Sequence, residues 1–222
     1  MMSNIKIERH NAPVGTNVRD AVLDLVSANV TPLCMTHPPA NHPKFEAYRA
    51  ALVLEVMTYL AMNHPHRIEL VTASSDDVVV GFTLCGLPLN GSTSECGIYY
   101  TAVAKAERGK GLMSLMMNEI TARYPSVALS CDVALVPRYE RYGFRCHSLR
   151  HHQIVMFIGH PVEETPVLNF SDLMNHPSVM VEREKVESKF STYELDRADR
   201  AFAKKMKADE EKAKRFFSGR SR

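Results

Sequence analysis

Three runs of alternating apolar and polar residues, separated only by short turns, constrain the fold of this chain more than any other feature of its sequence. Residues 68–72, 78–87 and 96–103 have the two-residue period of strands, and segments 74–77 and 90–92 between them have turn composition. Consecutive strands joined by such short turns pair antiparallel. The centre of the chain therefore predicts a three-stranded antiparallel meander.

Elements with a helical period flank this meander on both sides. Before it, a short strand at Ile5 and Ile7 is followed by two helical patterns that start near Thr16 and Phe45. After it we expect a helix, a strand, a short helix with proline in its first turn and a last strand, at residues 110–124, 127–133, 137–142 and 144–157. The order β-α-α-β-β-β-α-β-α-β predicts a mixed α/β fold of the α+β kind.

The last strand of the meander runs through a glycine-spaced turn, Arg108-Gly109-Lys110-Gly111, directly into a helix. The first amides of a helix have no acceptor inside it, and the helix dipole favours negative charge at that end. Glycine lets the backbone approach an anion closely, and Arg108 and Lys110 add positive charge. The turn therefore predicts a phosphate-binding site at the start of the helix.

Two common phosphate-binding motifs do not fit this turn. A Walker loop requires Gly-Lys-Ser/Thr after a longer glycine loop, and the sequence does not contain it. A dinucleotide fingerprint requires a third glycine where this chain has Ser114. That fingerprint also opens a parallel βαβ unit, whereas this turn follows an antiparallel meander.

Two segments of the sequence resemble the signatures of the GNAT acetyltransferase superfamily. The pattern Arg/Gln-x-x-Gly-x-Gly/Ala, which in that superfamily follows the fourth strand, falls on Arg108, Gly111 and Met113, with methionine in place of the usual small residue. The pattern Tyr-Glu-Lys-x-Gly-Phe, which precedes the sixth strand, falls on residues 139–144. Seven residues before that tyrosine the superfamily often has asparagine, where this chain has Asp132.

The resemblance covers about residues 5–157, with the elements in the same order. It implies the GNAT acyltransferase fold, in which a central mixed, mostly antiparallel sheet with splayed fourth and fifth strands is flanked by helices. We therefore expect a GNAT domain at residues 1–158 and a C-terminal extension at residues 159–222.

The resemblance also implies a reaction, the transfer of an acetyl group from acetyl-coenzyme A (acetyl-CoA) to an amine by direct attack on the thioester. It places Thr101, Ala102 and Val103 beside the pantetheine arm of the donor. It assigns the pyrophosphate to six consecutive residues, which are Arg108, Gly109, Lys110, Gly111, Leu112 and Met113. The acceptor is left open between a small amine, an antibiotic, a peptide terminus and a lysine.

Tyr139 matches the tyrosine that many superfamily members use to protonate the departing thiolate, and the resemblance also places it against the donor. No motif indicates the base that takes a proton from the acceptor. Glu95 and Asp132 are the candidates, because they lie near ends of the fourth and fifth strands. An acetyl-thiol intermediate on Cys131 is disfavoured, because buried strand cysteines are usually inert.

The bulk properties of the chain argue against several other functions. A net charge of +2 does not favour nucleic acid or a membrane as partner, and the ten histidines lack the spacing of a known metal site. The longest apolar stretch, residues 50–62, is interrupted by Glu55 and is too short to span a bilayer. With no signal peptide and an odd number of cysteines without CxxC spacing, we expect a cytoplasmic protein that binds no metal.

The C-terminal extension lies outside the resemblance. Residues 159–180 predict an irregular segment, and residues 181–217 predict one or two charged helices with an apolar stripe of Leu195, Ala198, Phe202 and Met206. The stripe favours docking on the domain or on a second subunit over contact with nucleic acid. The alternative function is a catalytically weak or inactive acetyl-CoA-binding module that acts through protein contacts of this helix, an interpretation favoured by Met113 and by the unassigned base.

Overall fold

A seven-stranded sheet forms the centre of the computed structural model, which describes residues 4–34 and 36–220. The strands are Ile5–Asn11 (β1), Ile68–Ser75 (β2), Val78–Gly86 (β3), Glu95–Val103 (β4), Ser126–Cys131 (β5), Arg145–Arg150 (β6) and Gln153–Ile158 (β7). Their order in the sheet is β1-β2-β3-β4-β5-β7-β6, and every neighbouring pair is antiparallel except β4 and β5. The predicted fold class is confirmed, and the meander forms the middle of the sheet.

Helices cover both faces of this sheet. They are Thr16–Ala28 (α1), Val30–Leu33 (α2), Phe45–Ala61 (α3), Leu112–Arg123 (α4), Val136–Glu140 (α5), Phe170–Met174 (α6), Pro177–Lys189 (α7) and Thr192–Arg220 (α8). α1 and α3 bury one face of the sheet and α4 and α5 the other, so the core divides into two clusters. Within the described residues, no helix combines the length and the apolar composition that crossing a bilayer requires.

The parallel strands β4 and β5 pair only at their first residues, where residues 95–97 lie beside residues 126–128. β4 then contains a β-bulge, because Ile98 and Tyr100 pair with adjacent residues of β3 and leave Tyr99 as an extra residue. A bulge bends the strand that carries it. Because this bulge comes directly after the last pairing with β5, it accounts for the separation of the two strands that the resemblance implies.

Gly86 of β3 makes room for the bulge residue. A Cβ atom at Gly86 would lie only 1.9 Å from the Tyr99 hydroxyl oxygen, so a side chain there would force the tyrosine to move. The Tyr99 ring packs on Tyr59 of α3, with the ring centroids 4.9 Å apart, and its hydroxyl donates a hydrogen bond to the Pro166 carbonyl. Tyr99 therefore ties the bend in β4 to α3 and to the C-terminal extension.

The single strand predicted for residues 144–157 is wrong, because this segment forms the β6–β7 hairpin. The chain reverses at His151, which has a positive φ of 54°. Histidine is one of the few residues other than glycine that adopt this conformation with some frequency. No glycine, proline, asparagine or aspartate occurs between residues 145 and 158, so the turn leaves no signal in the sequence.

The irregular segment predicted for residues 159–180 is also wrong in part, because it contains α6 and the start of α7. The charged region after it, predicted as one or two helices, forms two. The break follows Phe190, where Ser191 and Glu194 form a capping box: the Ser191 amide donates to the Glu194 carboxylate at 2.8 Å, and the Glu194 amide donates to the Ser191 hydroxyl at 3.3 Å.

α8 packs along the body of the same chain. Ala213 is fully buried in the core cluster of β5, β7 and α5, and Phe216 and Phe217 pack against that cluster. Nearer its start, Asp199 accepts a hydrogen bond from the Lys44 ammonium at 2.6 Å, and the Phe202 ring lies 5.9 Å from that of His42. The helix therefore connects the loop before α3 to the β6–β7 side of the sheet.

We expect Ala213→Asp to detach the end of α8, because it places a carboxylate among apolar side chains with no partner. The free energy of unfolding should fall by about 2 kcal/mol or more. Hydrogen exchange of the amides of residues 206–220 should accelerate. Ala203→Asp, at an exposed position of the same helix, is the control and should change neither quantity measurably. Equal effects of the two substitutions would contradict the docked arrangement of α8.

Candidate functional site

The glycine-spaced turn between β4 and α4 has the backbone of an anion-binding site. Gly109 and Gly111 both have a φ of +81°, and α4 begins at Leu112, directly after them. A Cβ atom at either glycine would meet nothing within 4 Å, so the backbone conformation rather than lack of space requires glycine at both positions. Residues in the left-handed conformation at the beginning of a helix direct consecutive amides toward one place, where an anion can accept hydrogen bonds from them.

The side chain of Arg108 holds this turn in place. Its guanidinium donates to the Val103 carbonyl at 3.1 Å and to the Asn29 side-chain oxygen at 2.6 Å. Asn29 is buried at the end of α1, and its amide group donates to the Leu25 carbonyl at 2.7 Å. Lys110 lies on the outer side of the turn, where its ammonium pairs with Glu107 at 2.9 Å.

A cavity of about 620 Å³, which we call the turn cavity, lies over the turn between α2, α4 and α5. Nine of the ten residues predicted to contact acetyl-CoA line it, and Lys110 is the exception; the nine are Thr101, Ala102, Val103, Arg108, Gly109, Gly111, Leu112, Met113 and Tyr139. Strand β4 and the start of α4 therefore bring together residues that a dozen positions separate in sequence.

Two further cavities neighbour the turn cavity and are lined by residues of β4 and β5. The first, which we call the passage, measures about 360 Å³ and shares Thr101 and Tyr139 with the turn cavity. The second, which we call the far cavity, measures about 540 Å³ and shares Tyr100 and Leu129 with the passage. The three cavities are therefore neighbours along the region where β4 and β5 are unpaired.

Tyr139 of α5 stands where the turn cavity meets the passage. Its side chain is buried, and its ring packs edge-on against Phe144 with centroids 5.8 Å apart. Burial raises the pKa of the Tyr139 hydroxyl well above that of an exposed tyrosine. The phenol is therefore neutral at physiological pH and has a proton to donate.

The two carboxylates predicted as bases lie in different places. Asp132 lines the passage, but its carboxylate accepts the Ala134 amide at 2.6 Å and so caps the turn after β5. Glu95 lies at the joined end of β4 and β5, where it accepts from the Ser92 hydroxyl at 3.1 Å and from the Glu163 amide at 3.0 Å. It lines none of the three connected cavities.

Cys131 also lines the passage, and its thiol is poorly suited to nucleophilic attack. The side chain is buried beside Met156, with the two sulfur atoms 3.7 Å apart. Burial raises the pKa of the Cys131 thiol to about 12, so almost none of it is thiolate at neutral pH.

A carboxylate that the sequence-based assignment missed, Glu55, faces the far cavity. It lies in the middle of α3, with the hydroxyls of Tyr59 and Tyr100 placed as hydrogen-bond donors toward it. Burial raises the pKa of the Glu55 carboxyl, and these hydrogen bonds partly offset the rise. The sequence does mark this residue, because Glu55 is the one charged residue in the apolar stretch between positions 50 and 62.

The C-terminal extension forms one wall of the far cavity, through Thr165, Val167, Leu168, Phe170 and Leu173. The Leu168 amide donates to the Tyr59 hydroxyl at 3.0 Å, which fixes this segment against α3. His37 of the opposite wall lies in edge-on contact with Tyr48 and 5.7 Å from the Phe170 ring. Within residues 4–34 and 36–220, no group of three or more histidine, cysteine, aspartate or glutamate side chains is arranged to hold a metal ion.

The model of the acetyltransferase (GNAT) family matches residues 33–144, half of the chain. The chain belongs to the GNAT acetyltransferase family. The match begins at the end of α2 and ends after α5, so it contains both the glycine turn and Tyr139. The recognition made from the two sequence motifs is therefore confirmed.

Solved structures with the same fold are distant in sequence. A PaiA N-acetyltransferase from Thermoplasma acidophilum, in complex with coenzyme A, superposes with a TM-score of 0.54 at 9% identity, over 71% of this chain and 99% of that one. An acyl-CoA N-acyltransferase from Pseudomonas aeruginosa gives a TM-score of 0.50 at 17% identity, over 71% and 100%. A search of the curated proteins found no match.

We expect Gly111→Val to weaken coenzyme A binding at least tenfold, because a β-branched residue resists the left-handed backbone that directs the turn amides. The strain is on the order of 1–2 kcal/mol, and calorimetric titration with coenzyme A measures its effect on affinity. Gly91→Val is the matched control, since Gly91 has a φ of +82° in an exposed turn far from the cavity. It should lose similar stability and keep its affinity; affinity retained in Gly111→Val would argue against the site.

Proposed function

We propose that this protein is an acetyl-CoA-dependent N-acetyltransferase that transfers the acetyl group directly to an amine. The observation that carries the proposal is the row of three neighbouring cavities, the turn cavity, the passage and the far cavity, which share lining residues, with Tyr139 lining the first two. A donor can enter from the glycine turn on one side of the sheet and an acceptor from the other. The thioester and the amine would meet in the gap between β4 and β5.

The donor half of this row of cavities has suitable groups for each part of acetyl-CoA. The amides around Gly109 and Gly111 suit the pyrophosphate, and the charge of Arg108 is close by. Beyond residue 97, the edge of β4 that faces β5 lacks a strand partner, so the backbone at residues 101–103 is available to the amides of an extended pantetheine arm. The relative crystallised with coenzyme A has the same fold, which supports this assignment.

Tyr139 suits the role of proton donor to the departing sulfur. Its hydroxyl is neutral because of burial, and it borders the passage in which the thioester would lie. A thiolate with a pKa near that of cysteine, about 8.5, is already a fair leaving group, so the proton accelerates the reaction without being indispensable. Asp132 remains a candidate base through a water molecule, whereas the position of Glu95 outside the three cavities disfavours it.

The alternative, an inactive acetyl-CoA-binding module, depends on a free contact surface on the C-terminal helix. In the structure the stripe of Leu195, Ala198, Phe202 and Met206 is half-buried, and α8 packs on its own chain. This arrangement favours the enzyme. A homodimer through other surfaces and a cytoplasmic location remain predictions.

We expect Tyr139→Phe to reduce turnover about 10- to 100-fold, because the variant lacks the proton for the leaving thiolate. Release of free thiol from acetyl-CoA in the presence of a panel of amines and peptides measures it. The affinity for coenzyme A should stay within about twofold, since the ring remains in place. Tyr193→Phe, at an exposed position of α8, is the control. Unchanged turnover in Tyr139→Phe would remove the acid assignment, and no turnover of any acceptor by the wild type would favour the binding module.

A further inference from the structure

The far cavity contains a single carboxylate among aromatic, apolar, neutral polar and basic side chains, the basic ones being His37, Arg150, His151 and His152. Among the described residues that line it, Glu55 is the one acidic side chain. Tyr59 accepts a hydrogen bond from the Leu168 amide and lies one helical turn after Glu55 on α3, so its own proton is available to the carboxylate. Tyr100 lies on β4, one residue before the segment assigned to the pantetheine arm, and its hydroxyl also bonds Glu55.

These contacts orient the carboxylate without neutralising its charge. Both partners are tyrosine hydroxyls, and burial raises their pKa, so they stay protonated and act as donors. A carboxylate accepts about four hydrogen bonds, which leaves acceptor sites for a cationic donor from the cavity. The faces of tyrosine rings also attract cations. Glu55 with Tyr59 and Tyr100 therefore has the chemistry of an ammonium-binding site.

The walls of the far cavity limit the size of what can enter. Its volume of about 540 Å³ lies in the range of sites for small molecules. Residues 165–173 of the C-terminal extension close one side, and their attachment to Tyr59 and Tyr99 holds them there. The remaining lining near Glu55 includes Ile98, Val155 and Phe170, which suits an apolar or aromatic body.

We propose that the far cavity receives a small primary amine with an apolar or aromatic body, and that Glu55 binds its ammonium group and accepts its proton before the nitrogen attacks the thioester. This inference rests on the proposed acetyl transfer and adds the class of acceptor and the base. It replaces Glu95 and Asp132 in that role.

The protons of the reaction balance with Glu55 and Tyr139 as the two participants. The acceptor nitrogen loses two protons in becoming an amide. The first goes to Glu55 and from there to solvent, which leaves the neutral amine to form the new C–N bond. As the C–S bond breaks, Tyr139 gives its proton to the sulfur, and the second proton of the nitrogen replaces it. The products are the acetylated amine, coenzyme A thiol and one proton.

The ionisation of Glu55 should set the acidic side of the pH profile. The titratable and charged groups around it are Cys34 of α2, His37 of the following loop, Tyr59 of α3, Tyr99 and Tyr100 of β4, and Arg150, His151 and His152 at the hairpin. Because the pKa of Glu55 is raised, kcat/KM should rise with pH through a value above that of an exposed glutamate.

Glu55→Gln tests the inference, with 2-phenylethylamine as acceptor and thiol release as the measurement. We expect kcat/KM to fall about 100-fold or more at pH 7, because the base is lost while shape is kept. The defect should shrink below about tenfold near pH 9.5, where the amine is increasingly neutral by itself. Glu46→Gln is the matched control, since Glu46 lies on the same helix but is exposed and pairs with Arg49.

A second variant keeps the test decisive if Glu55→Gln loses its fold, which coenzyme A titration would reveal. Tyr100→Phe removes one hydrogen bond that lowers the pKa of Glu55, so the acidic limb of the profile should move to higher pH. A limb that does not move, or a Glu55→Gln variant as active as the wild type at pH 7, would overturn the role of Glu55.

The choice of acceptors separates failure of this inference from failure of the proposed function. Peptides with a free N-terminus or an internal lysine are assayed beside 2-phenylethylamine. Turnover of the peptides alone would overturn the small-amine class and leave acetyl transfer standing. Coenzyme A binding without turnover of any acceptor would overturn both.

Discussion

The bend of β4 at Tyr99 is the constraint on which the rest of the structure depends. Strands of a sheet pair along their length unless something diverts one of them, and here a bulge at Tyr99 diverts β4 four residues after its pairing with β5 begins at Glu95. Gly86 permits it, because any side chain there would meet the Tyr99 ring. The gap that results lies between the cavity over the glycine turn and the far cavity beside α3. Without that gap, the two halves of the site would lie on opposite sides of a closed sheet.

The C-terminal extension is part of this arrangement, although the family match ends at residue 144. Residues 165–173 wall the far cavity, and they are held by the hydroxyls of Tyr59 and Tyr99. α8 then returns over β6 and β7 and buries Ala213 in the core. The extension thus contributes both to the shape of the proposed acceptor site and to the stability of the body, which explains why its apolar stripe faces inward.

The sequence-based interpretation was accurate for elements that local interactions determine and less accurate for those that depend on contacts between distant parts of the chain. The meander, the glycine turn and the short helix before Phe144 have local signals, namely alternation, glycine spacing and proline in a first turn, and the structure contains all three. The β6–β7 hairpin was missed because its turn uses His151, a residue without a strong turn preference. Glu95 was considered as a base because it lies near a strand end, and the structure places it at the paired end of β4 and β5 rather than where the strands are unpaired.

The sequence alone determined the family, the fold class and the position of the glycine turn, since these depend on residues close together in the chain. Only the tertiary structure decided which carboxylate faces the far cavity. Glu55 is separated from Tyr100 and from Leu168 by long stretches of chain, and in the sequence it is merely a charge that interrupts an apolar helix. Packing α3 against the bent β4, and the extension against α3, buries that charge beside two tyrosine hydroxyls. The helical period fixes the side of α3 on which Glu55 lies. How α3 packs in the whole fold decides which strand and which loop that side meets.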